Sequence, residues 1–136
     1  TGKVFNDTNL NGIDDGEPGL AGAVVSGGGD ASTTESDGLF TLYVSASGEM
    51  TVTETNPAGY VSTNAIPGAG ALKWDNDNLN ITIAAPGTEY GGNLFGDAAA
   101  AGVALICGTV FDDANGNGVQ DPGESGLAGA TVTLNG

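Results

Sequence analysis

The sequence predicts an all-β fold, a sandwich repeated in tandem with its second copy incomplete, and three observations carry that expectation. Glycine is abundant, with 25 among 136 residues, while Lys and Arg total 2 and no long run of helix formers occurs. That is a composition for strands and turns. Apolar residues alternate in short runs: Phe40, Leu42 and Val44 share a face of Leu39 to Val44, Met50 and Val52 a face of Met50 to Glu54, and Leu79 to Ile83 alternates throughout. The opening Gly2-Lys-Val-Phe-Asn-Asp7 returns as Gly108-Thr-Val-Phe-Asp-Asp113, and Gly19-Leu-Ala-Gly-Ala23 returns as Gly126-Leu-Ala-Gly-Ala130, the signature of a repeat array.

Taken in order, Ala23 to Ser26 reads as a strand, Gly27 to Asp30 as a turn, and Ser32 to Glu35 as a short polar strand. Asp37-Gly38 turns the chain into Leu39 to Val44, and Met50 to Glu54 follows. Asn56 to Tyr60 is a turn feeding Val61, after which a segment rich in Gly, Ala and Asn reads as loop as far as Ala71. Leu79 to Ile83 is the next strand, Pro86-Gly87 a turn, and Tyr90 to Asp97 closes the unit. The expected organisation is a sandwich over 1–97, a linker or connecting strand over 98–107, and over 108–136 the first two strands of a second copy, Gly108 to Phe111 and Ala130 to Leu134. Two strands alone cannot cover their own apolar face. Val110, Phe111, Val132 and Leu134 are therefore expected to be covered by further β-structure, from the same polypeptide or a neighbouring chain.

Between its two strands each copy carries a loop of alternating oxygen ligands. In Asp113 to Glu124, counting Asp113 as position one, Asn115 and Asn117 stand at three and five, Gly118 at six, Val119 at seven, Asp121 at nine and Glu124 at twelve. This is the ligand order of a calcium loop, with the residue at seven contributing its carbonyl and Glu gripping through two oxygens. The flanks are strand-like, so the loop joins strands rather than the helices of an EF-hand. In the first copy Asp7, Asn9, Asn11, Gly12, Ile13 and Asp15 match, but no residue corresponds to Pro122, so Glu17 falls one place early. Asp14 adds a carboxylate there, and altered calcium geometry is expected. A second oxygen-rich cluster, Trp74-Asp-Asn-Asp-Asn78, offers Asp75 and Asp77. The competing reading in each case is an Asx-rich turn that holds no metal.

The formal charge is −15, from 17 acidic residues against 2 basic ones, which makes nucleic acid and anionic membranes poor partners and divalent cations good ones. The lone Cys107 leaves no intrachain disulfide; it reads as a small buried hydrophobe, with an interchain disulfide as the alternative. The stretch Ala98 to Cys107 is too short to span a bilayer. An enzyme is the least expected class, because there is no His, Cys107 has no partner base and no Ser sits in a nucleophile motif. Abundant extracellular calcium suits such loops, and points to a secreted or cell-surface protein.

Gly-x-Val-Phe-x-Asp-x-Asn-x-Asn-Gly, Gly-Leu-Ala-Gly, Asp37-Gly-Leu-Phe-Thr-Leu42, Val52-Thr-Glu-Thr-Asn-Pro-Ala-Gly-Tyr60 and Phe95-Gly-Asp97 together resemble the B-domain repeats of serine-aspartate-repeat surface adhesins, within the wider Cna B-type group. The resemblance runs nearly the whole chain. It implies a prealbumin-like, Ig-like β-sandwich acting as a calcium-stiffened structural module of an extracellular fibre or stalk, packed against neighbouring copies of itself. A ligand-binding adhesin domain is the rival reading, with Tyr60, Trp74 and Tyr90 as a binding patch for an extracellular ligand. The wider group often cross-links a strand Lys to an Asn beside an acid, for which Lys3, Asn93 and Glu54 are candidates. Thr109 replaces Lys3 in the second copy, so surface charge is the preferred role for Lys3.

Overall fold

The computed structural model describes residues 1–45, 47–85, 87–101, 106 and 108–133. The chain divides into two compact units, Thr1–Ala104 and Leu105–Gly136. The first contains nine strands: β1 (Gly2–Asn6), β2 (Val24–Gly27), β3 (Asp30–Thr33), β4 (Leu39–Phe40), β5 (Gly48–Thr55), β6 (Tyr60–Ile66), β7 (Ala71–Lys73), β8 (Asn78–Ile83) and β9 (Asn93–Ala99). They form two sheets, ordered β4-β1-β9-β6 and β3-β2-β5-β8-β7. The β1–β9 pair is parallel, from Gly2 opposite Asn93 to Asn6 opposite Asp97; the other pairs are antiparallel. This is an all-β sandwich.

The alternating residues meet between the sheets. Val4, Phe40, Ala65 and Phe95 from the first sheet pack on Val25, Val52, Leu79, Ile81 and Ile83 from the second, all buried. The Phe40 and Phe95 rings lie 6.0 Å apart at 43°, a tilted aromatic pair. Each such side chain contributes roughly 1.5–3 kcal/mol on leaving water. Phe5 is also fully buried but lies outside this cluster. It rests on Gly96, where a Cβ would stand 2.5 Å from the ring.

Several boundaries differ from the sequence expectation. β3 begins two residues early because Gly28 and Gly29, both at positive φ (61° and 87°), close a two-residue hairpin turn between Gly27 and Asp30. The run Leu39 to Val44 keeps its alternation, with Leu42 and Val44 packed on the core and Tyr43 exposed. Only Leu39 and Phe40 form a strand, because their partners are Lys3 and Gly2 and the pairing ends there. Beside this unpaired stretch opens a cavity of about 280 Å³ lined by Leu42, Val44, Met50, Ile83 and Tyr90. The expected loop before Ala71 contains β6, which pairs along β9 with a bulge between Ser62 and Asn64. β9 continues to Ala99, two residues past the boundary expected at 97.

In the second unit no strand forms among the described residues, contrary to the expectation for 108–111 and 130–134. One isolated bridge joins Phe111 to Gly126. It matches the Phe5–Gly19 bridge of the first unit, and the flanking bonds match too: Leu20 N–H donates to the Val4 carbonyl (2.9 Å) and Leu127 N–H to Val110 (2.8 Å). Val110, Leu127 and Val132 remain exposed. Cys107 and Leu134 lie outside the described residues.

Candidate metal centre

The first loop winds around Asp7. Its buried carboxylate accepts from Asn11 N–H through Oδ1 (3.1 Å) and from Gly12 N–H through Oδ2 (2.8 Å). Asn9 Oδ1 accepts from Asn11 N–H (3.0 Å) and Asn11 Oδ1 from Ile13 N–H (2.8 Å), while the Asn9 and Asn11 side-chain amides both donate to Asp15 Oδ2. Gly12 takes the positive φ of 70° that the reversal needs, and Asn64 Nδ2 fixes its carbonyl from β6 (2.8 Å). Ile13 turns its side chain outward, which suits a residue whose contribution is its carbonyl.

The second loop repeats this network bond for bond. Asp113 accepts from Asn117 (3.0 Å) and Gly118 (2.8 Å), Asn115 Oδ1 from Asn117 (3.0 Å), Asn117 Oδ1 from Val119 (2.7 Å), and Asp121 Oδ2 from both Asn side chains. Those two amide donors hold the Asp121 carboxyl below its ordinary pKa.

The missing residue in the first loop is felt at its glutamate. Glu17 is buried, and its Oε1 accepts from Thr8 N–H (2.5 Å), Thr8 Oγ1 (2.9 Å) and Asn9 N–H (3.3 Å) at the start of the loop. Glu124 Oε2 instead accepts from Asp121 N–H (3.0 Å) within the second half of its loop. In both, the other oxygen, Glu17 Oε2 or Glu124 Oε1, is buried with no partner. Asp14 faces away from this network: its Oδ2 pairs with Lys3 Nζ at 2.7 Å, and Lys3 also donates to the Glu17 carbonyl.

Among the described residues no three Asp, Glu, His or Cys side chains converge as a ready-made metal group. The loops draw as much on Asn and backbone oxygens as on carboxylates. A hard dication fits such an all-oxygen set, and it would supply the partner that each buried Glu oxygen lacks. Asp7, Asn9, Asn11, Asp15, Glu17 and the Ile13 carbonyl would hold it in one loop; Asp113, Asn115, Asn117, Asp121, Glu124 and the Val119 carbonyl in the other.

Asp75 and Asp77 separate into different environments. Asp75 closes the turn at Trp74 to Asn78, accepting from Asp77 N–H and from the Asn78 amide. Slight desolvation raises its pKa, but these bonds, with Lys73 nearby, outweigh it and leave the net shift downward. Asp77 turns to Ser62 instead. It lies in the field of two carboxyls that the loop spacing does not reveal, Glu54 on β5 and Asp97 on β9. Burial first, then the charges of Asp97 and Asp77, push Glu54 up to about 8; burial and Asp77 push Asp97 up to about 7. Glu54 shares a face with Val52 in the strand alternation, so its inward direction was readable, but its neighbours across the sheets were not.

The aromatic patch does not assemble: Tyr60 and Tyr90 pack on the core, and Trp74 is exposed. Asn93 is buried with Nδ2 donating to the Tyr90 carbonyl (2.9 Å) and Oδ1 accepting from Gly68 N–H (3.1 Å). Lys3 and Asn93 thus each have other partners.

The relatives agree with this layout. The chain is 31% identical over 139 residues to serine-aspartate repeat-containing protein F of Staphylococcus epidermidis, and 31% identical over 140 residues to serine-aspartate repeat-containing protein D of Staphylococcus aureus strain Newman, each match covering 96% of the chain. The chain resembles serine-aspartate repeat-containing proteins. It spans 8% and 10% of the length of these two relatives, so the likeness concerns a segment of much longer proteins. No family model matches the chain.

Proposed function

We propose that the chain is a structural, non-enzymatic repeat module of a cell-surface or secreted extracellular stalk or fibre, stiffened by calcium in its two Asp/Asn loops. The observation that supports this most is the replication of one loop network in both copies, each with a buried glutamate oxygen left without a partner. The resemblance to surface proteins built from serine-aspartate repeats points the same way. Calcium takes the place of disulfides, which a single cysteine cannot provide within the chain.

Neighbouring copies of the same fold are the proposed partners. Val110, Leu127 and Val132 are exposed in the second unit, and β-structure beyond it, in the same polypeptide or an adjoining one, would cover them. Ligand binding is the second reading, favoured by Leu72 and Trp74, both 74% exposed at β7 and just beyond it.

Thermal melting with and without calcium tests the main reading. A loop filled at a hundred times its dissociation constant adds about 2.7 kcal/mol, against total stabilities of roughly 5–15 kcal/mol. Melting should rise in calcium and fall in chelator. Coincident curves would remove calcium from the proposal.

A further inference from the structure

Away from the loops, three carboxylates meet where the two sheets face each other. Asp97 on β9 is completely buried, and neither of its oxygens has a hydrogen-bond partner. Glu54 near the end of β5 is 2% exposed, and its Oε1 is likewise unpartnered. Asp77, whose carbonyl accepts from Glu54 N–H at 2.8 Å, is the third. Neutral oxygens connect them: Ser62, directly across from Asp97 in the β6–β9 register, bonds both Asn56 and Asp77. Asn56, with its amide turned to donate, reaches Glu54 Oε2 at 2.9 Å.

Nothing in the chain neutralises this group. Its two cationic side chains are committed elsewhere, Lys3 to Asp14 and the Glu17 carbonyl, Lys73 to Asn64 and Asn76, and there is no Arg or His. The amino terminus is held by the Tyr90 carbonyl. Burying unpaired carboxylates is costly, and each orphaned oxygen adds to that cost. The compensating charge must come from outside the polypeptide.

We propose that Glu54, Asp77 and Asp97 form an interior site for a hard divalent cation, separate from both loops. The donors are oxygens, the chemistry that selects calcium or magnesium over softer metals. The carboxylates do not yet converge as a cage; Asn56 and Ser62 stand between Glu54 and Asp77 and are themselves oxygen donors, and a dication supplies the attraction that draws the group together. Because Glu54 belongs to one sheet and Asp97 to the other, an ion held by both ties the two layers at this end of the core.

Calcium alone is the probe. Titration calorimetry on the full chain should count one more ion than on the Glu54→Gln/Asp97→Asn double variant, and that difference should survive in a Glu17→Gln/Glu124→Gln background, which disables the loops instead. Equal stoichiometry with and without the core substitutions overturns the site, while leaving the loop reading untouched. Infrared absorption of the unsubstituted chain gives a second readout should the double variant fail to fold. Near neutral pH in chelator, a protonated carboxyl band is expected, and calcium should convert it to carboxylate absorption. A band that persists once calcium is saturating means that protons, not metal, neutralise the group, and the proposal falls.

Discussion

Raising the pH of the calcium-free protein from 5 to 7.5 is expected to destabilise it, against the common pattern in which stability holds across neutrality. In the fold Glu54 titrates at about 8 instead of 4.5, and Asp97 at about 7 instead of 3.8. Between those limits the folded chain keeps protons that the unfolded chain has released, so stability falls as pH rises and is fully present only below the unfolded values. At about 1.4 kcal/mol per pH unit, the displacement of Glu54 alone is worth on the order of 5 kcal/mol, comparable with the whole stability of many small domains. Losing even 2 kcal/mol lowers the melting temperature by roughly 8–16 °C for a unit of this size. The window is unusually clean because the sequence has no histidine, and exposed carboxylates have finished titrating near pH 5. Melting followed by circular dichroism in chelator, at constant ionic strength and half-unit pH steps, measures the slope directly. Glu54→Gln/Asp97→Asn should flatten it. A melting temperature that is level or rising from pH 5 to 7.5 would refute the reasoning, whatever the loops bind.

Other perturbations follow from single contacts. Glu124→Gln should weaken calcium binding in the second loop more than Asp121→Asn, because Glu124 Oε1 is a buried oxygen without a partner while Asp121 is exposed and held by two Asn amides; calcium titrations giving the reverse order would contradict this. Gly96→Ala places a methyl 2.5 Å from the Phe5 ring and 2.9 Å from Thr63 Oγ1, and should cost about 1–3 kcal/mol in urea unfolding as overpacking does. No measurable change would mean that the ring has room to move. The intact mass should equal the sequence mass, since Lys3 and Asn93 each have other partners; a deficit of one ammonia that Lys3→Ala restores would establish a cross-link instead.

The sandwich and its loops were legible because local pattern and tertiary outcome coincide there. Period-two runs such as Leu79 to Ile83 alternate in burial as they do in sequence, and the ligand spacing of Asp7 to Asp15 and Asp113 to Asp121 becomes one hydrogen-bond network twice over. Elsewhere the deciding partner is distant. Tyr60 to Ile66 reads as loop because Ser, Thr and Asn suit turns, yet pairing with β9 makes it a strand. Leu39 to Val44, Gly108 to Phe111 and Ala130 to Thr133 have strand chemistry but lack a neighbour to pair with along most or all of their length. The Glu54–Asp97 group was invisible for the same reason: its members come from four separate segments, and no spacing rule connects 54, 62, 77 and 97.

The parallel pairing of β1 with β9 has a mechanical consequence. The chain enters the sandwich along β1 and leaves it along β9, and the two run side by side through five residue pairs, Gly2 with Asn93 to Asn6 with Asp97. Tension applied at the two ends of the module therefore slides one strand lengthwise past the other. Load is shared across all five rungs at once, whereas in an antiparallel hairpin pulled at its open end the bonds break in succession. Force along the polypeptide meets this fold in its most resistant direction.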